Sequence, residues 1–260
     1  MQQFDAINHK SSRLFVFLAG FFVANTMIAE FIGVKIFSLE RSLGFQPLDM
    51  TIFGIDHLSF SLTCGVLLWP FVFVMTDIIN EYYGIKGVRM LSLMTVGLIT
   101  YAFLMFFIGI NLAPADFWIG LKQDKGIANY NDAFGAVFGQ GNNIILGSIV
   151  AFLIAQFLDV FIFHKIKEMT GERNIWLRAT GSTIISQLVD SFVVLYIAFH
   201  LGAGLSMKWV LAVMTVNYIY KFLVALLMTP VIYAVHGIIE RYLGDELATE
   251  MKQRAMGSGK

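Results

Sequence analysis

The sequence predicts an all-α membrane protein built as a bundle of six transmembrane helices, and three observations carry that prediction. Of 260 residues, 57% are hydrophobic and only 14% charged, with a mean hydropathy of +0.72. Soluble domains carry about 25% charged residues, so the excess apolar surface must face something other than water. Six apolar segments are long enough for a hydrocarbon layer about 30 Å thick, over residues 13–36, 58–83, 90–112, 141–167, 176–200 and 206–241. The third observation is the placement of positive charge. The N-terminus, the second–third and fourth–fifth loops and the C-terminal tail hold 12 Lys and Arg, against 5 in the other loops. The positive-inside rule then places both termini in the cytoplasm, and residues 1–260 read as one integral membrane domain.

The first span lacks a small-x-small cleavage pattern and runs on through Asn25 to Gly33, which makes it a retained helix rather than a signal peptide. Glu30 and Lys35 near its end are expected to snorkel to the interface. Gly44, Pro47 and Gly54, with alternation around 50–55, predict a short hairpin or interfacial loop before the second span. That span contains Pro70, an expected kink, and ends in Asp77-Ile-Ile-Asn-Glu81-Tyr-Tyr with Gly84 as its stop. The third span has almost no polar side chain and is expected to face lipid or a second copy of the chain in a homodimer. Residues 113–140 form the longest loop, with room for a short interfacial helix. The fourth span carries Gln156 and Asp159, and the fifth carries Thr183, Gln187, Asp190 and Ser191 on one face. The sixth contains Asn217 and Lys221 at i,i+4 and a second proline, Pro230. Gln156-x-x-Asp159 and Gln187-x-x-Asp190 match in spacing, as duplicated halves would. Met256-Gly-Ser-Gly-Lys260 carries no fold information.

Several function classes are disfavoured. A net charge of zero argues against nucleic-acid binding. The single cysteine, Cys64, permits no internal disulfide and reads as a small core residue. The five histidines are scattered, with His164 beside Lys165 reading as a solvated interfacial residue, so neither a metal nor another cofactor is expected. There is no Gly-x-Ser-x-Gly, no His-Glu-x-x-His and no Gly-rich nucleotide loop, which disfavours an enzyme and any use of phosphate energy within this chain.

The chemistry that remains lies inside the membrane. A charged side chain at mid-bilayer costs at least ~2.5 kcal/mol and is tolerated only in a bundle interior or wet cavity, with partners. Asn25, Gln156, Asp159, Gln187, Asp190, Asn217 and Lys221 are the candidate substrate-binding residues. Asp77, Asn80 and Glu81, at the cytoplasmic end of the second span near Lys86 and Arg89, read as gating or structural. Asp190 and Lys221 could form a buried ion pair that merely joins helices. The full set of amides and charges is more than such glue requires and points to a ligand cavity.

Four blocks carry a resemblance: Trp69-Pro-Phe-Val-Phe-Val-Met-Thr-Asp-Ile-Ile-Asn-Glu-Tyr-Tyr-Gly84, Ala155-Gln-Phe-Leu-Asp-Val-Phe-Ile-Phe163, Arg178-Ala-Thr-Gly-Ser-Thr-Ile-Ile-Ser-Gln-Leu-Val-Asp-Ser191 and Asn217-Tyr-Ile-Tyr-Lys-Phe222 with Pro230 beyond it. They resemble the queuosine precursor transporter family of bacterial inner-membrane proteins, formerly grouped as vitamin-uptake proteins. Some members have Asn where this chain has Gln187. The resemblance implies a six-helix fold similar to vitamin-transporter substrate-binding subunits. It also implies uptake of 7-cyano- and 7-aminomethyl-7-deazaguanine, purine-like bases destined for tRNA modification. The alternative is a substrate-binding subunit of an ATP-driven uptake complex. A deazaguanine presents a ring N–H and an exocyclic amine side by side, a donor pair that one carboxylate accepts in bidentate fashion. Asp190 or Asp159 is the expected acceptor, with Gln156, Gln187 and Asn217 reading the remaining edge and Lys221 balancing charge. Tyr218, Tyr220, Phe157 and Phe192 are the expected stacking partners.

Overall fold

The computed structural model describes residues 10–139, 142–170 and 175–257. The expected start of the fourth span at Gly141, the lead-in to the fifth at Asn174 and the tail residues 258–260 lie outside the described residues. Helix α1, Lys10–Ile32, buries a single stripe, Leu14, Leu18, Phe22, Asn25 and Ala29, at three- and four-residue spacing. Its other face shows Val16, Phe17, Phe21 and Ile28. An apolar outer face of this kind suits a hydrocarbon solvent, which is why the helix is greasy on both sides.

Between α1 and the next long helix the chain is not helical enough to cross a membrane. Strand β1, Ile36–Ser38, the one-turn helix α2, Leu39–Ser42, β2, Met50–Ile52, β3, Ile55–Leu58, and β4, Ser61–Thr63, form two small antiparallel sheets, β1 with β4 and β2 with β3. The expected hairpin is present, and Phe53 (φ 51°) and Gly54 (φ 75°) form its two-residue turn with both φ values positive. Glu40 ties this region together. One carboxylate oxygen accepts from the Phe60 and Leu48 amides and the other from the Ser38 hydroxyl.

The predicted second span therefore needs correction. Residues 58–68 belong to β3, β4 and a 3₁₀ turn, Cys64–Leu67, and the helix begins only at Trp69. Pro70 does not kink it but stands in its first turn, where a missing N–H costs nothing. Cys64 is half-buried in the 3₁₀ turn rather than in the core. At Gly65 an added Cβ would lie 2.6 Å from the Ala29 carbonyl oxygen, so only glycine lets this turn close on α1.

Helix α3, Trp69–Asn111, has 43 residues and is broken at Gly84, whose φ of 69° and ψ of −174° leave the helical region. The second and third predicted spans are thus two limbs, 69–83 and 85–111, of one bent element. For this reason five helices among the described residues, not six, are long and apolar enough to cross a membrane: Lys10–Ile32, Trp69–Asn111, Ile144–Thr170, Trp176–Leu201 and Met207–Leu243. In the first limb every residue from Val72 to Tyr82 is buried, which makes it the centre of the bundle. The second limb buries only a stripe, including Leu91, Thr95, Ile99 and Phe103, and exposes most of the rest, as expected of a lipid-facing helix.

The long loop carries α4, Asp116–Ile119, and α5, Tyr130–Phe138, the latter capped by Asn129, whose side chain accepts from the Asn131 and Asp132 amides. Helix α6, Asn142–Thr170, packs along α7, Ile175–Leu195, which continues as a π-helical turn, Tyr196–Leu201. Helix α8, Met207–Leu243, is capped by Ser206 and contains Pro230. Beyond it lies an element the sequence reading missed, α9, Asp245–Gly257. It buries Ala248, Met251 and Ala255 against α3 and α8.

Two predictions follow from the segment before Trp69. Replacing Gly65 with valine should lower the thermal unfolding midpoint of detergent-purified protein by several degrees; an unchanged midpoint would contradict the close approach to α1. Burial raises the Glu40 carboxyl, but hydrogen bonds from the Phe60 amide, its own amide, the Ser38 hydroxyl and the Leu48 amide outweigh it and hold the group below its ordinary 4.5. A depressed folded-state value means stabilisation present above about pH 4.5 and lost on acidification below it. Hydrogen exchange at the Phe60 amide, corrected for intrinsic rate, should quicken below pH 4.5, and Glu40→Gln should abolish that pH dependence.

Candidate functional site

A narrow pocket opens between the first limb of α3, α7 and α8. On α3 it is lined by Trp69, Pro70, Phe73, Val74 and Asp77, an i, i+4, i+8 face. Thr180, Thr183 and Gln187 line it from α7 at i, i+3 and i+7, again one helix face, and Tyr220, Lys221, Val224, Ala225, Met228 and Ile232 from α8. Pro230 lies within this stretch of α8, where it leaves the Leu226 carbonyl without its helical donor.

Asp77 is the unusual member of the wall. It is 1% exposed, and neither carboxylate oxygen has a hydrogen-bond partner among the described residues. The Gln187 side-chain nitrogen is likewise buried and unpartnered. Buried polar groups left without partners each cost ~1–3 kcal/mol, more when charged, so a cavity presenting two of them is built to receive something that pairs with them.

The other predicted site residues fall into separate places. Asn25 and Asn217 turn their amides back onto their own helices, donating to the carbonyls of Phe21 (2.8 Å) and Val213 (3.0 Å). Neither lines the cavity. Gln156 donates to the Thr76 hydroxyl at 2.6 Å and so joins α6 to α3. Asp159 lies behind the cavity wall, fully buried, accepting at one oxygen from Ser186 (3.1 Å) and Thr183 (3.4 Å). Asp190 accepts from Lys221 at 2.6 Å, the helix-joining ion pair that the sequence allowed. Of the seven predicted binding residues, Gln187 and Lys221 line the cavity, and Asp77, read as gating or structural, joins them there. Among the aromatic candidates only Tyr220 lines it. Phe157 and Phe192 are exposed on the bundle surface, and the Tyr218 hydroxyl donates to the Ile184 carbonyl. Trp69 and Phe73 were missed, although their spacing to Asp77 on one helix face was legible.

One turn beyond Asp77, Glu81 is fully buried and contacts Arg178 Nη2 at 2.8 Å and Lys167 Nζ at 3.0 Å, both themselves buried. The nearby Lys86 and Arg89 are not its partners, because α6 and α7 bring cations in from other parts of the chain. Asn80 Oδ1 accepts from His164 Nε2 at 2.8 Å, so His164 is a half-buried helix-joining residue rather than a solvated one. Tyr82 bonds His236 at 3.2 Å, and Lys252 of α9 reaches Glu240. This layer closes the end of the cavity marked by Asp77 and Ile232. At the other end Glu30 is also buried, accepting from Ser148 instead of snorkelling, while Lys35 is exposed as expected. Among the described residues no group of three or more His, Cys, Asp or Glu is arranged to hold a metal ion.

The Glu81 contacts generate a stability prediction. Glu81→Leu would leave Lys167 and Arg178 without their shared anion, and removing one side of a buried ionic contact costs roughly 3–5 kcal/mol. The unfolding midpoint of the purified variant should fall well below that of wild type; an unchanged midpoint would show that the contact does not hold α3, α6 and α7 together.

Comparison with known proteins adds the remaining evidence. A family profile described as "Putative vitamin uptake transporter" matches residues 63–235, which include every residue lining the cavity. The chain is 30% identical over 192 residues to the "Probable queuosine precursor transporter" of Bacillus subtilis (strain 168), covering 71% of this chain and 76% of that one. It is 26% identical over 204 residues to the "Queuosine precursor transporter" of Escherichia coli (strain K12), covering 78% and 83%. A "Probable queuosine precursor transporter" of Haemophilus influenzae is 26% identical over 200 residues, covering 75% and 78%. No solved structure matches. These relatives are named as transporters, not enzymes, and nothing in the comparisons supports an ATP-driven complex. With its membrane-length helices and this match across two-thirds of its length, the chain belongs to the vitamin uptake transporter family, which here groups with queuosine precursor transporters.

Proposed function

We propose that the protein takes up queuosine precursors, 7-cyano- and 7-aminomethyl-7-deazaguanine, across the bacterial inner membrane, holding the base in the cavity between α3, α7 and α8. The observation that carries this reading is Asp77, a buried carboxylate with both oxygens unpartnered among the described residues and facing the cavity. A guanine-like edge offers two parallel N–H donors to those oxygens. Asp77 thereby takes the acceptor role that the sequence suggested for Asp190 or Asp159. The unpartnered Gln187 nitrogen donates to the ring carbonyl, and Trp69, Phe73 and Tyr220 flank the flat bicycle. Lys221 stays paired with Asp190 and keeps that acid neutralised beside the ligand.

In the membrane, α1, the two limbs of α3, α6, α7 and α8 make six crossings, an even number that places both termini on one side. The distribution of Lys and Arg makes that side the cytoplasm. The Glu81 layer then lies on the cytoplasmic side of the ligand.

Calorimetric titration of purified protein with 7-cyano-7-deazaguanine tests the reading. Asp77→Asn should weaken binding about a hundredfold, the ~3 kcal/mol expected for a lost charge-assisted pair with a donor left facing a donor. Adenine, which presents an acceptor where guanine has its ring N–H, should not compete. Wild-type affinity in the Asp77→Asn variant would end the assignment.

A further inference from the structure

Two buried carboxylates, Asp77 on α3 and Asp159 on α6, flank one wall: Thr183, which lines the cavity with Asp77, donates to Asp159, Gln156 one turn before Asp159 bonds Thr76 beside Asp77, and neither acid has a salt bridge among the described residues. The charged groups around them are accounted for. On the same helix Glu81 holds Arg178 of α7 and Lys167 of α6. Across the cavity on α8, Lys221 is joined to Asp190 of α7. On the far side of Glu81, His236 of α8 bonds Tyr82, His164 of α6 bonds Asn80, and Lys252 of α9 bonds Glu240. At the opposite end of the bundle, Glu30 of α1 accepts from Ser148. Among the described residues neither Asp77 nor Asp159 has a salt bridge; Asp159 is held by hydroxyls, and Asp77 shares the cavity wall with Gln187, Tyr220 and Lys221 and lies in the field of Glu81 and Arg178.

Two like charges in a buried wall repel, and a pair that shares one proton avoids that repulsion. The hydrogen bonds say where that proton can sit. Asp77 has no donor on either oxygen. Asp159 has Ser186 and Thr183 on Oδ1, while its Oδ2 is unpartnered among the described residues. Asp77 faces the cavity and is the member that can exchange a proton with cavity water; Asp159 is set behind it.

We infer that Asp77 and Asp159 are a proton-carrying pair, and that the ligand enters with a proton held on Asp159. This inference rests on the proposed seat of the base at Asp77. Accepting two N–H donors requires the ionised form of Asp77, so the pair's proton is driven onto Asp159 Oδ2. No bond to the ligand forms or breaks; one O–H bond at Asp77 is exchanged for one at Asp159. With the base in place Asp77 is shut off from water, and ligand and proton cross together. When the base leaves, Asp77 again meets water and the proton departs through it. Asp159 is then a positioning residue for the proton that never touches the ligand, and uptake is driven by an inward proton gradient.

Two measurements test this, one without any ligand. Infrared difference spectra between wild type and the Asp77→Asn/Asp159→Asn double variant should show a protonated-carboxyl band in wild type at neutral pH that the double variant lacks. Absence of that band overturns the proton-carrying pair. The second uses proteoliposomes with an imposed inward proton gradient and labelled 7-cyano-7-deazaguanine. Wild type should accumulate the base several-fold above equilibrium, with the excess abolished by a protonophore. Asp159→Asn should still bind the base but only equilibrate it. Wild type that equilibrates the base without accumulating it overturns the coupling. A band that is present with no binding or uptake of the base supports the proton pair and overturns the ligand assignment instead.

Discussion

Charge inside a hydrocarbon layer has to be neutralised locally, and in this protein the contact of Glu81 with Lys167 and Arg178 is where that requirement organises the fold. A lone buried ion would cost several kcal/mol after relaxation. Satisfying Glu81 therefore forces α3, α6 and α7 to meet at one level. The same helices are then held in register above that level by the Gln156–Thr76 hydrogen bond and the contacts of Asp159 with Ser186 and Thr183. Lys221 and Asp190 perform the corresponding service between α7 and α8. Once these pairs are made, Asp77 at the cavity and Asp159 behind it are left without a salt bridge among the described residues.

That residue of unsatisfied polarity is what separates a site from a structural core. Buried amides can be discharged on the helix's own carbonyls, as Asn25 and Asn217 do, and then they are simply satisfied. Asp77 and the Gln187 nitrogen are not. They face each other's helices across a space walled by Trp69, Phe73 and Tyr220, and the break at Gly84 ends the limb that carries Asp77 soon after Glu81. The lipid-facing limb beyond Gly84 buries only the hydroxyls of Ser92 and Thr95 among its polar side chains, and its exposed apolar side chains suit a hydrocarbon solvent.

Much of the candidate site was legible as a list and little of it as an arrangement. Gln156-x-x-Asp159 and Gln187-x-x-Asp190 look equivalent in sequence, yet Asp190 has a lysine and Asp159 only hydroxyls. The difference comes from which helix lies opposite, and spacing along one helix says nothing of that. Glu81 was assigned to nearby Lys86 and Arg89 by proximity in the chain, whereas its cations are 86 and 97 positions away. Pro70 illustrates the same limit: a proline in an apolar run is a kink in the middle of a helix and harmless in its first turn, and only the helix start at Trp69 distinguishes the two.

By itself the sequence determined that this is a multi-pass helical membrane protein, since hydropathy and helical length are properties of single segments that the bilayer reads one at a time. It also determined which residue types had to be buried at cost. Only the tertiary structure decided which of those were paired and which were left bare: Asp190 and Asp159 have partners, and Asp77 has none among the described residues. The physical reason is that neutralisation is a property of two or more helices together, fixed by their packing and not by the charge that any one of them carries.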